Sequence, residues 1–125
     1  MSEGYVKLGD LFVYKLSVEL CDLGWEMYQQ FSWQTKKIMG DQFITAVDSN
    51  AANIAEGYGR FHYLDKIKFY YNARASLLES KHWIYLLYRR AIVTKQQFEE
   101  FLKLTSNVHY HLNQLIQSCY QHKQS

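Results

Sequence analysis

The sequence predicts an all-α protein, an up-down-up-down bundle of four helices in one domain that spans residues 1–125. A length of 125 residues suits one domain, and contents of 48% hydrophobic and 21% charged residues exclude a disordered tail. Proline is absent and glycine occurs only 6 times, which favours long helices over turn-rich β architectures. Apolar residues recur at steps of three and four in four segments joined by short links. The predicted helices cover approximately residues 11–31, 35–58, 62–91 and 94–121.

The first predicted helix carries two apolar stripes. One stripe contains Leu11, Tyr14, Val18, Cys21, Trp25 and Tyr28, and the other contains Val13, Leu16, Leu20, Leu23 and Met27. A helix of a monomeric bundle needs one buried face, so we assign the first stripe to the core and expect the second to contact another subunit. One wide core face on an irregular bundle is the alternative. Ser17 and Gly24 lie in a gap between the stripes, where a neighbouring helix could approach closely.

The second predicted helix continues the apolar pattern and ends in two glycines. Gly57 and Gly59 predict the left-handed backbone conformations that commonly terminate helices. The predicted core positions of this helix are Met39, Phe43, Ile44, Ala46, Val47, Asn50, Ala51 and Ile54.

The third and fourth predicted helices have recognisable starting signals. The third opens near His62, with Asp65 in its first turn, where the helix dipole favours an acid. The fourth begins at Thr94, and Gln97 three residues later completes a capping box. Its predicted core stripe is Phe98, Phe101, Thr105, Val108, Leu112, Leu115 and Cys119.

Candidate catalytic and metal-binding groups are few. Glu79 and His82 form one Glu-x-x-His pair, whereas a di-iron bundle needs two such pairs and two further glutamates. The segment from Gly57 to Arg60 contains only a Gly-x-Gly, with no preceding strand, so phosphate cradling is not indicated. We therefore predict no catalytic residue, no metal site, no cofactor and no enzymatic activity.

Polar residues within the second helix form a candidate cluster. Asn50, Asn53 and Glu56 follow one another at intervals of three beside the apolar stripe, and asparagine is a poor helix former. We interpret them as a buried polar network that fixes helix register, and a ligand site is the alternative. Their candidate partners are Arg60, Arg74, Ser76 and Glu79.

Charge is unevenly distributed although the net charge is only +2. Residues 1–50 carry four basic and seven acidic side chains, whereas residues 60–90 carry seven basic and two acidic ones, interleaved with tyrosines and phenylalanines. Basic groups neutralise phosphates and aromatic rings stack on unpaired bases, so this segment is the candidate nucleic-acid-binding region. Its basic residues are Arg60, Lys66, Lys68, Arg74, Lys81, Arg89 and Arg90.

Two segments resemble a known bacterial family. Residues 50–60, which contain Asn-Ile-Ala-Glu-Gly followed by Tyr-Gly-Arg, resemble the NIAEG-x-GR signature of the four-helix bundle proteins encoded by intervening sequences within 23S rRNA genes. Residues 66–79 resemble the second block of this family, an Ala-x-x-Ser-x-x-Glu helix. The resemblance covers essentially the whole chain. It implies that the motif residues Asn50, Asn53, Glu56, Gly57, Gly59, Arg60, Ser76 and Glu79 define the fold.

The resemblance also implies a left-handed bundle assembled into a ring-shaped homopentamer. More distant relatives include the accessory variability determinant of diversity-generating retroelements, which works with a reverse transcriptase and binds nucleic acid. We therefore expect a homo-oligomer that binds RNA or DNA, structured RNA in particular. A scaffold that docks another protein, such as a reverse transcriptase, is the alternative.

The cysteines and the hydropathy indicate the compartment. Cys21 and Cys119 lie far apart in sequence, and we expect reduced thiols, with one long-range disulfide as the alternative. No signal peptide is visible, and the longest uncharged run, between Lys103 and Lys123, is too polar to span a bilayer. These features predict a cytoplasmic protein with no membrane partner.

Overall fold

The computed structural model describes residues 7–124, with the side chains of residues 7–122, and contains four long helices. Helix α1 is Phe12–Gln29, helix α3 is Tyr63–Arg89 and helix α4 is Lys95–Gln124. Helix α2 consists of three consecutive segments, Trp33–Thr35, a π-helical stretch Lys36–Gly40, and Asp41–Tyr58. A short 3₁₀ turn, Leu8–Asp10, precedes α1, and residues 7–124 contain no strand. The predicted all-α, four-helix class is confirmed.

Helix packing follows chain order. Helices α1 and α2, α2 and α3, α3 and α4, and α4 and α1 contact one another, so each helix packs beside its neighbours in sequence. The links between them are short, which makes consecutive helices antiparallel in an up-down-up-down arrangement. The core is built from large side chains on all four helices. Its bulkiest fully buried members are Tyr70, Phe43, Phe101 and Leu20.

Helix α1 buries the stripe that we expected to face another subunit. Leu20 is fully buried in the core, whereas Val18 and Trp25, from the stripe that we assigned to the core, are exposed. The assignment of the two stripes is therefore wrong. The reason lies in the small residues beside the second stripe: Ser17 and Gly24 are buried and let α2 approach. A Cβ atom at Gly24 would lie 3.2 Å from Val47 Cγ1, so the expected close approach is confirmed.

The end of α2 is not formed by left-handed glycines, contrary to the prediction. Gly59 has a φ of −78°, in the right-handed region, and Gly57 lies within the helix. Gly57 is needed for a different reason, since a Cβ atom there would lie 2.7 Å from Cε1 of the buried Tyr70 ring. The terminal carbonyl groups of α2 accept hydrogen bonds from Lys66 of α3 instead, with Nζ 2.8 Å from the oxygen of Tyr58.

A residue with a left-handed backbone conformation follows the end of α3. Ala91 has a φ of 59°, the one positive value of a non-glycine residue in the described part of the chain. Its N–H donates to the carbonyl of Tyr88 at 3.0 Å, and the N–H of Ile92 donates to the carbonyl of Leu87 at 2.9 Å. These two bonds define a Schellman motif, which caps the carbonyl end of a helix.

The start of α4 confirms the predicted capping box. The N–H of Thr94 donates to Gln97 Oε1 at 2.8 Å, and the N–H of Gln97 donates to Thr94 Oγ1 at 3.1 Å. Helix α4 then extends to Gln124, three residues beyond the predicted end.

Candidate nucleic-acid interface

A groove between α3 and α4 collects basic and apolar side chains. Arg74 and Lys81 are seven residues apart, so they lie two turns from each other on one face of α3, and His109 faces them from α4. The groove has a volume of about 320 Å³. None of its lining side chains, among the residues that the structure describes, is acidic. The lining residues are Tyr71, Arg74, Ala75, Leu77, Leu78, Lys81 and His109.

Arg74 is held in place by two contacts. Its guanidinium lies over the ring of Tyr71, 4.7 Å from the centroid, and Nη1 donates to Asn113 Oδ1 at 2.7 Å. The hydroxyl of Tyr71 is in turn 2.8 Å from that of Tyr120 on α4. Asn113 uses one N–H of the guanidinium fork, and the remaining donors of a fixed guanidinium suit a phosphate or carboxylate.

His109 lies in a positively charged part of the groove. Partial burial lowers the pKa of His109, and the positive charges of Lys81 and Arg74 lower this pKa further. Protonated His109 would add a third positive charge to the same small volume. The groove therefore favours a bound anion, which would offset the mutual repulsion of these three groups.

Three more of the seven predicted nucleic-acid-binding residues have intramolecular partners. Lys66 is half-buried and caps α2, and burial lowers its pKa. Arg60 pairs with Glu56 at 2.8 Å. Arg90 Nη1 lies 3.5 Å from the sulfur of Met39. These residues do not belong to the groove.

The last two predicted residues, Lys68 and Arg89, are exposed on α3 outside the groove. Arg89 lies over the ring of Tyr85, 5.7 Å from the centroid, and Lys68 lies 6.0 Å from the centroid of Phe69. The structure therefore places Arg74 and Lys81 together in the groove, and it places Arg60 and Lys66 together in a separate pocket beside the end of α2, so the seven predicted residues do not line one pocket. Consecutive basic residues point in different directions around α3, which charge counting along a sequence does not resolve.

His109 and Asn113 were missed by the sequence analysis because charge was counted in one segment, and both residues lie on α4. The available signal was the position of His109 directly after Val108 in the core stripe, at the edge of α4. A residue at such an edge faces the neighbouring helix.

The polar residues of the α2 motif do not form one network, contrary to the interpretation of the sequence. Asn50 is buried and its Nδ2 donates to Ser17 Oγ at 3.1 Å, while its Oδ1 is buried without a hydrogen-bond partner in the structure. Asn53 donates to the carbonyl of Ser49 at 2.9 Å, within its own helix. Glu56 is exposed. Only Asn50 therefore connects two helices, α1 and α2.

The remaining candidates for chemistry have separate surroundings. Glu79 accepts a hydrogen bond from Trp83 Nε1 at 3.1 Å, and His82 and Ser76 do not contribute to the groove. Residues 7–122 contain no group of three or more His, Cys, Asp or Glu side chains that could hold a metal ion. Cys21 and Cys119 are free thiols, and burial together with Asp48 raises the pKa of Cys21 to about 12.

A second groove, between α1 and α4, has the opposite charge. Four acidic side chains and one lysine line it, so α4 separates an acidic groove from the basic one. Its charged residues are Glu19, Asp22, Glu26, Glu100 and Lys103.

Comparison with known proteins identifies the class of this four-helix bundle. Residues 9–114 match the model of the 23S rRNA-intervening sequence protein family, and the chain belongs to this family. The resemblance drawn from the motif residues is thereby confirmed. A search of curated proteins gave no match.

A solved structure has the same fold. It is a protein of unknown function from the S23 ribosomal protein family of Bacteroides thetaiotaomicron VPI-5482, and it is similar to this chain with a TM-score of 0.78 and 24% sequence identity. The match covers 83% of this chain and 97% of that one. At this identity the similarity supports the fold alone.

Among residues 7–124, no helix combines the length and the apolar character that are needed to cross a bilayer.

Proposed function

We propose that this protein is a non-enzymatic homo-oligomer that binds nucleic acid, structured RNA in particular, through the groove between α3 and α4. The observation that carries the proposal is the convergence of Arg74, Lys81 and His109 on one groove without an acidic lining residue among those described. Lys and Arg side chains that neutralise phosphates dominate the affinity of proteins for nucleic acids. The family description, which refers to an intervening sequence of 23S rRNA, favours RNA as the ligand.

Self-association is supported by the exposed stripe of α1. Trp25 is 49% exposed and Val18 lies one heptad before it, so two large apolar side chains face outward on the same side of the helix. The family resemblance implies a pentameric ring. A ring would repeat the groove, and several weak contacts on one RNA would then act together through their high effective concentration.

The RNA-binding proposal is tested by salt-dependent fluorescence anisotropy with a structured RNA. We expect wild type to bind at about 50 mM salt and to lose affinity steeply as salt rises. The double variant R74Q/K81Q should weaken binding about 10-fold or more and flatten the log–log salt slope by about 1–2. The matched control R89Q/R90Q removes the same charge outside the groove and should retain most of the affinity. An equal loss in both double variants would contradict the role of the groove.

The assembly proposal is tested by light scattering at micromolar concentration. We expect a multiple of the 14.9 kDa chain mass for wild type and a monomer for Trp25→Glu. Trp33→Glu is the control, because Trp33 is 75% exposed at the start of α2 and lies off the α1 stripe. A wild-type mass of one chain would refute the assembly.

A second candidate function is the docking of another protein, such as a reverse transcriptase. Four exposed large side chains that recur at intervals of seven along α3 favour it: Leu64, Tyr71, Leu78 and Tyr85. If wild type binds neither RNA nor DNA at about 50 mM salt, where electrostatic attraction is strong, this second function replaces the first.

A further inference from the structure

We propose that the groove between α3 and α4 receives a single unpaired nucleotide of a structured RNA. In this arrangement Arg74 and Lys81 hold the phosphate, and Leu78 and Tyr71 contact the base. The inference rests on the proposed RNA-binding function and names the part of the RNA that the groove selects.

The size of the groove sets the first limit on its ligand. A volume of about 320 Å³ lies at the lower end of the range of small-molecule sites, which is roughly 300–1,000 Å³. A single nucleotide is small enough to enter a groove of this volume, whereas a double helix is too wide to enter and would contact only the edges of the groove. Sequence-specific RNA recognition commonly uses loops and bulges, because their unstacked bases can enter protein sites.

The two cations supply the phosphate contacts. Asn113 and the ring of Tyr71 fix the guanidinium of Arg74, so little conformational freedom is lost when it binds an anion. Lys81 and His109 belong to the same lining. Burial and then the charges of Lys81 and Arg74 lower the pKa of His109, and a phosphate between Arg74 and Lys81 would offset the contribution of these two charges.

The apolar lining supplies the base contact. Leu78 is 68% exposed at the groove, and the ring of Tyr71 lies beside the guanidinium of Arg74. Ala75 adds exposed apolar surface, and the buried Leu77 lines the groove from the core side. Aromatic rings and guanidinium planes are the groups on which proteins stack unpaired bases, and Leu78 would add an apolar contact beside them. A phosphate alone would use the cations and leave this surface without a role.

The experiment compares two hairpin RNAs that differ only by one unpaired nucleotide in the stem. Fluorescence anisotropy with wild type should give at least 10-fold tighter binding to the bulged hairpin than to the fully paired one. Leu78→Ser should reduce this preference to less than about 3-fold, with the affinity for the paired hairpin unchanged. Arg74→Gln should weaken the binding of both hairpins, because it removes a phosphate contact.

The matched control is Leu64→Ser, the same substitution two heptads earlier on α3. Leu64 is 59% exposed and lies outside the groove, so this variant should keep the full preference for the bulged hairpin. Circular dichroism on both variants checks that the helices are retained.

The possible outcomes separate the single-nucleotide inference from the RNA-binding function. Equal affinities of wild type for the two hairpins would overturn the single-nucleotide inference and leave the RNA-binding function in place. Binding to neither hairpin would overturn both. An equal loss of preference in Leu64→Ser and Leu78→Ser would also overturn the inference, because it would assign the effect to apolar exposure in general.

Discussion

Replacement of Gly57 by alanine tests why the family motif contains a glycine at this position. The added Cβ atom would lie 2.7 Å from Cε1 and 2.9 Å from Cδ1 of Tyr70, and 3.1 Å from Cβ of Phe69. Ordinary contacts between carbon atoms are about 3.5–4.0 Å, so the ring would have to move by nearly an ångström. Tyr70 is fully buried in the core, so its ring cannot move away from the added methyl group without repacking its neighbours.

The magnitude follows from two opposing effects. Overpacking of a well-packed core destabilises a protein by about 1–3 kcal/mol. Alanine is a better helix former than glycine by about 0.5–1 kcal/mol, which offsets part of this loss. We expect Gly57→Ala to lower the free energy of unfolding by about 1–2 kcal/mol. With a urea m-value of about 2 kcal/mol/M, which is typical of a small protein, the midpoint of urea unfolding should fall by about 0.5–1 M.

Gly59→Ala is the control for this experiment. A Cβ atom at Gly59 would come no closer than 3.7 Å to the carbonyl oxygens of Ala55 and Glu56, and its φ of −78° suits any residue. Urea unfolding of this variant should therefore match wild type within about 0.5 kcal/mol, or show a small gain. In a Tyr70→Leu background, which removes the ring, the loss caused by Gly57→Ala should shrink. A larger loss for Gly59→Ala than for Gly57→Ala would refute the steric explanation and restore the left-handed one.

Three further predictions concern other parts of the fold. Ala91→Gly should stabilise the protein by about 1 kcal/mol, measured as a rise of a few degrees in Tm, because a left-handed conformation costs alanine about 1–2 kcal/mol. Leu20→Glu should unfold the bundle rather than only dissociate an oligomer, since Leu20 is fully buried, and circular dichroism would show the loss of helix. RNA affinity should rise a few-fold as pH falls from about 7.5 to about 5.5, because the pKa of His109 lies below its usual value of about 6.5 and a phosphate would raise it. His109→Gln should remove this pH dependence, and its persistence would assign the titration to another group.

The sequence was sufficient for the class of fold and for most helix bounds. The absence of proline predicted long helices, which the structure contains. The capping box at Thr94 and the apolar stripe of α4 are local signals, and the structure shows the predicted hydrogen bonds at Thr94 and buries most of the stripe. Such local signals do not show which of the two apolar stripes of α1 faces the core. Both are apolar, and the choice between them was made by the small side chains of Ser17 and Gly24, which allow α2 to come close only on that side.

The candidate site was less predictable because it depends on contacts between helices. Arg74 and Lys81 were included among seven basic residues, but the periodicity of one helix does not show which of them face α4. Lys66 illustrates the difficulty, since its position beside the end of α2 turns a candidate phosphate ligand into a helix cap. Of the two glycines of the motif, Gly57 avoids a clash with the ring of Tyr70, whereas no close contact requires a glycine at position 59, and the left-handed conformation predicted for both is not found.

The position of α4 would explain how a chain with a net charge of only +2 attracts the polyanion of the proposed function. The acidic side chains of α1 and the basic ones of α3 are separated in sequence, and the fold places them on opposite sides of α4. In the proposed function, an RNA would be repelled at the groove that contains Glu19 and Glu26 and attracted at the one that contains Arg74 and Lys81. The difference in potential between two neighbouring grooves orients the ligand, and this orientation does not require a large total charge. For the proposed RNA binding, the arrangement of charges around the helices would therefore matter more than their sum.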